Sequence, residues 1–71
     1  MNASHLADAQ DILAEVARGE HGVSADLRWA AGRVASRPTA GEFLRDALDN
    51  GELKGELRQA VRTLIKAGVI A

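Results

Sequence analysis

The residues that could bind a metal or transfer protons are few and scattered. The two histidines are His5, near the start of the chain, and His21, between Glu20 and Gly22 in a predicted loop. Neither has another histidine or a cysteine three or four residues away, the spacing that places two ligands on one helical face. His21 beside an acid has a chemistry suited to pH sensing, but its setting is more typical of a solvated loop histidine. We therefore expect no metal site and no cofactor.

No group of residues predicts catalysis. The chain has no cysteine, and its serines and Thr39 lie where hydroxyls cap helices or face solvent. No glycine-rich phosphate-binding loop precedes a helix. A chain of 71 residues also has little room for a pocket that excludes water. The sequence predicts a protein that is not an enzyme.

Four cations at four-residue spacing form the most regular charged feature. This basic row consists of Lys54, Arg58, Arg62 and Lys66. On one helix the row would advance only about 40° around the axis per step, so its cations would lie along one face. Such a face could bind an acidic partner or a phosphate backbone. It is more typical of a solvated helix face, because rows of charge are common on amphipathic helices. Ala47 and Gly51 partly match a helix-turn-helix, so a small DNA-binding regulator is the alternative function.

Composition argues against several classes of protein. The formal net charge is −1, whereas a general nucleic-acid binder is usually basic. No stretch reaches the roughly 18 apolar residues of a membrane span, and the N-terminus lacks the features of a signal peptide. We expect a cytoplasmic protein. The excess of arginine over lysine, together with many alanines, favours a bacterial or phage source.

Apolar residues recur at three- and four-residue steps, which predicts amphipathic helices. The fold class is therefore all-α, with the chain (1–71) forming a single bundle of about four short helices, at approximately 4–18, 25–36, 40–49 and 51–67. The last helix shows the clearest pattern. Predicted core residues of the last two helices are Phe43, Leu44, Ala47, Leu48, Leu53, Leu57, Ala60, Val61 and Leu64.

Capping residues mark the ends of these helices. The expected N-caps are Ser4, Ser24 and Thr39. Thr39 and Glu42 have the spacing of a capping box. The expected helix ends are Gly19, Asn50–Gly51 and Gly68. After Gly68, Val69 is placed to pack back on Leu64 in a Schellman motif.

Trp29 does not fit the apolar stripe of the second helix. The stripe consists of Leu27, Ala30, Ala31, Val34 and Ala35. Trp29 lies about 200° around the helix from Leu27, on the side of Arg33. Tryptophan is enriched among residues that dominate binding energies, although a neighbouring helix or the tail of the chain is an alternative cover for it. Candidate interface residues are Trp29, Arg33, Ile65 and Ile70.

The small core favours association with another chain. A domain of this size buries only about 60% of the surface that its unfolded chain exposes. Disulfides are impossible, so self-association or docking on a partner protein is the remaining support. The sequence therefore predicts a non-catalytic protein-interaction domain, most simply a homodimer, that acts as an accessory, adaptor or inhibitor protein.

Overall fold

The computed structural model describes residues 3–70, with side chains described from residue 5 onward. Its helices are α1 (Ala3–Ala17), α2 (Ala25–Arg33), α3 (Pro38–Asp49) and α4 (Gly55–Lys66). No strand occurs within the described range. The prediction of a small all-α bundle is confirmed. None of the described helices combines the length and the apolar character needed to cross a membrane.

The helices form a closed ring in which each packs on two others. α1 packs on α2, α2 on α3, α3 on α4, and α4 on α1. The diagonal pairs make no close backbone contact within the described residues. The largest fully buried side chains are Val16, Leu44, Val61, Leu64 and Ile70. Alanines from all four helices complete the core, so the helices depend on close approach rather than on large side chains.

Three helices end in the pattern that glycine termination predicts. After α4, the N–H of Gly68 donates to the carbonyl of Ile65 at 3.1 Å, and the N–H of Val69 donates to that of Leu64 at 3.0 Å. These are the two hydrogen bonds of a Schellman motif. Equivalent bonds follow α1 and α3, where Gly19 and Gly51 have φ of 84° and 73°. All three predicted helix ends are confirmed.

One predicted N-cap is confirmed and two are wrong. The Ser24 hydroxyl accepts a hydrogen bond from the N–H of Leu27 at 3.4 Å. The predicted capping box of Thr39 is wrong, because α3 begins at Pro38 and its N-cap, Arg37, makes no side-chain capping bond. Proline suits the first helical position since its φ is preset and it has no N–H to satisfy. The predicted Ser4 cap is also wrong, because α1 already includes Ala3 and Ser4 therefore lies within the helix.

Proline also explains why α2 is shorter than predicted. The helix ends at Arg33, and residues 34–36 form a turn instead of the expected last helical turn. Arg37, the residue before Pro38, is extended, with φ −133° and ψ 115°. The ring of the following proline disfavours helical backbone at that position.

The predicted start of the last helix is wrong by four residues. Residues 51–54 form a connector, and α4 begins only at Gly55. Gly51 and Gly55 have positive φ, 73° and 59°. Because this is not right-handed helical backbone, the residues between them continue neither α3 nor α4. Leu53 is buried all the same, but it reaches the core from the connector. Lys54 is extended, with φ −137° and ψ 156°, so it does not continue the basic row.

Two apolar side chains are placed differently from their predictions. Phe43 was expected in the core, but 38% of it is exposed, because it lies at the edge of the buried α3 face formed by Ala40, Leu44 and Ala47. Ile70 was a candidate interface residue, but only 2% of it is exposed. Its Cγ2 lies 3.6 Å from the position that a Cβ on Gly41 would take. The tail therefore packs on α3 and completes the core.

The burial of Ile70 predicts a large difference between neighbouring substitutions. Ile70→Ala should lower the free energy of unfolding by about 2–5 kcal/mol, as truncation of a buried isoleucine does. Val69→Ala should cost less than about 1 kcal/mol, because Val69 is 40% exposed. Urea denaturation followed by circular dichroism measures both. Equal effects would contradict the placement of Ile70 in the core.

Two glycines should respond oppositely to alanine. Gly41 is helical and buried, and a Cβ there would meet Ile70 at ordinary contact distances of 3.6 and 3.8 Å. Gly41→Ala should therefore stabilise the protein by about 0.5–1 kcal/mol through helix propensity. Gly68→Ala should destabilise it by about 1–2 kcal/mol, because φ at Gly68 is 79°. The same denaturation experiment tests both signs.

Candidate functional site

The outer face of α2 presents the exposed tryptophan. Trp29 is 44% exposed. The side of α2 that faces the core carries the buried Ala30 and Ala31, and Trp29 lies on the opposite side. Asp26 and Arg33 lie within about 60° of Trp29 around the helix axis, and both are exposed. These three residues, Asp26, Trp29 and Arg33, define the α2 outer face.

The two charges of this face stand at opposite ends of α2. Asp26 is in the first turn and Arg33 in the last, which is the arrangement that the helix dipole favours. Neither residue takes part in the ion pairs of the described side chains. Both charges are therefore available to a partner.

The other predicted interface residues contribute less to the surface. Ile65 is partly buried and packs against the core, and Ile70 belongs to the core itself. Arg28 extends toward the end of α1, where its Nη1 lies 3.4 Å from the position of a Cβ on Gly19. Of the four predicted interface residues, Trp29 and Arg33 are the two that the structure leaves open.

The basic row is reduced to three cations on one helix. Arg58, Arg62 and Lys66 are exposed on α4, whereas Lys54 lies in the extended connector. Arg58 and Arg62 lie about 160° and 120° around the axis from Glu56, on the flank that faces away from α1, whereas Lys66 lies only about 80° from Glu56.

An acidic cleft of about 800 Å³ lies at the surface between α1 and α4. Its carboxylates are Asp8, Asp11 and Glu15 from α1 and Glu56 from α4, and its lining includes no lysine or arginine. The α1 carboxylates are three or four residues apart, so they share one face. This spacing is visible in the sequence, but it resembles that of an ordinary solvated face until α4 supplies the second wall.

His21 contacts Glu15 rather than Glu20, the acid next to it in the sequence. Its Nε2 lies 2.9 Å from Oε1 of Glu15, whereas Glu20 forms a hydrogen-bonded ion pair with Arg18. The bond to Glu20, followed by its charge, raises the pKa of Arg18, and the more distant Glu15 and Asp11 add smaller contributions.

Comparison with known proteins adds no identification. No protein-family model matches the chain, and no curated protein or solved structure matches it significantly.

Proposed function

We propose that this chain is a non-catalytic protein-binding domain that pairs with a second copy of itself through the α2 outer face. The observation that carries the proposal is Trp29, which is 44% exposed on a helix face directed away from the core. A tryptophan buries about 150–250 Å² when it is covered. The core consists largely of alanine and leucine. Trp29, the largest side chain of the protein, lies outside this core and remains available for a partner.

The charges of the α2 outer face favour a second copy as that partner. A two-fold symmetric interface must be complementary to itself. Asp26 lies three residues before Trp29, and Arg33 lies three residues after Ala30. When two α2 helices cross antiparallel about an axis between positions 29 and 30, Asp26 faces Arg33 of the partner subunit. The symmetry creates this pair twice, with the tryptophans between the two pairs.

The size of the surface sets the expected strength. α2 has nine residues and is therefore about 14 Å long. A standard interface takes about 800 Å² from each partner, which is a large share of the 4502 Å² that the whole chain exposes. One short helix supplies only part of that area. We therefore expect a reversible dimer with a dissociation constant in the micromolar range.

The two hydroxyl groups next to α2 have structural roles, which is compatible with a binding role without catalysis. Ser24 accepts from the N–H of Leu27 at the start of α2. Ser36 donates to the carbonyl of Arg33 at 3.3 Å, just after that helix. Both serines thus serve helix ends. An accessory or adaptor protein is the role we infer, and the loss of Lys54 from the basic row gives the DNA-binding alternative no added support.

Removing Trp29 should abolish pairing. The mass of the wild type, measured by light scattering over a dilution series, should rise with concentration from 7.5 kDa toward twice that value. Trp29→Ala should remain monomeric at concentrations at least about tenfold higher, as expected for loss of an interface anchor. Val69→Ala, which truncates another exposed apolar residue, should dimerise like the wild type. A wild type that stays monomeric throughout would refute the homodimer.

Exchanging the charges tests the antiparallel arrangement. Asp26→Arg and Arg33→Asp should each weaken the dimer by about tenfold, because each turns two attractive surface pairs into repulsive ones. The double variant, which carries both exchanges, should recover most of the loss. Arg58→Asp on α4 controls for the change in net charge. Additive losses in the double variant would rule out this crossing.

A further inference from the structure

Three side chains from separate parts of the chain converge beside the acidic cleft. They are Glu15 on α1, His21 in the loop after α1, and Glu56 in the first turn of α4. One ligand atom from each lies within 4.8 Å of those of the other two. The shortest of these distances joins Oε1 of Glu15 to Nε2 of His21, at 2.9 Å.

From this geometry we propose that Glu15, His21 and Glu56 form a binding site for a divalent transition-metal ion, with Zn²⁺ as the best match. One imidazole nitrogen and two carboxylate oxygens form a ligand set that Zn²⁺ accepts, whereas Mg²⁺ and Ca²⁺ prefer oxygen ligands alone. Tetrahedral coordination at about 2.1 Å places ligand atoms about 3.4 Å apart. That separation is longer than the 2.9 Å between Glu15 and His21 and falls within the 4.8 Å limit that holds for all three ligand atoms, so small side-chain rotations would form the site.

The partial burial of the ligand side chains, like their chemistry, supports metal binding. The side chains of His21 and Glu15 are only 22% and 35% exposed, so they lose less freedom on binding an ion than fully exposed side chains would. His21 also follows the Schellman turn at Gly19, which fixes the direction in which the loop leaves α1.

The charge of the surroundings adds an independent argument. Asp8 and Asp11 continue the row of carboxylates along the cleft, and no lysine or arginine lines it. Carboxylates spaced three or four residues apart on one helix face repel one another. A bound cation would offset that repulsion in the folded state. An ion bound at Glu15, His21 and Glu56 would also link α1, the following loop and α4, in a chain that has no disulfide.

The site is separate from the proposed dimer interface. None of its ligands belongs to the α2 outer face, and α2 makes no close backbone contact with α4 in the described part of the chain. Failure of self-association therefore leaves the metal site standing, and the reverse also holds.

Calorimetric titration of the untagged protein with ZnCl₂ tests the proposal. We expect one ion per chain with a dissociation constant of about 10 μM or tighter. Saturating Zn²⁺ should raise the melting temperature, because the ion binds the folded chain in preference to the unfolded one. MgCl₂ at the same concentration should produce neither effect. Absence of Zn²⁺ binding, or equal binding of Mg²⁺, would overturn the proposal.

Matched variants identify the ligands. Glu56→Gln changes an exposed ligand, and it should weaken Zn²⁺ binding by about tenfold or more. Glu52→Gln alters another exposed glutamate near the same helix end and should bind like the wild type. His21→Ala should lose binding, whereas His5→Ala and Trp29→Ala should keep it. Circular dichroism checks that each variant is folded, and full affinity in Glu56→Gln would exclude this site.

Discussion

The scarcity of large apolar side chains is the constraint on which the rest of the structure depends. Among the residues that the structure describes, fourteen apolar side chains are buried and six of them are alanines, so the helices must approach closely to exclude water. The core also recruits residues from outside the helices. Leu53 reaches it from the α3–α4 connector and Ile70 from the tail. Ile70 packs on α3 beside Gly41. The connector and the tail are therefore structural parts of the bundle.

The same constraint explains the surface of α2. Its inner side carries Ala30 and Ala31, whose small size allows neighbouring helices to pack close. A tryptophan on that side would force them apart, and Trp29 lies on the outer side. The helix thus has its smallest side chains toward the core and its largest toward solvent. With opposite charges at its two ends, this outer side has the self-complementary pattern that a two-fold interface requires.

The charges of α4 are divided between its two flanks. The flank toward α1 contributes Glu56 to the acidic cleft, whereas Arg58 and Arg62 lie toward the opposite side. The net charge of −1 hides this separation. Because opposite flanks of one helix carry opposite charges, two surfaces of different chemistry coexist on a small protein. His21 lies beside the acidic surface, where it contacts Glu15.

Features set by neighbouring residues could be predicted from the sequence. The existence of the helices, the Ser24 cap and the glycine-terminated ends depend on interactions within a few residues, and so does the outward phase of Trp29. The exposure of Phe43 and the burial of Ile70 depend on which edge of a helix a neighbour covers, and no local pattern encodes that. The meeting of Glu15 and His21 with Glu56, some forty positions later, required α4 to pack on α1. Local periodicity determined the helices, and only their packing decided which side chains share a site.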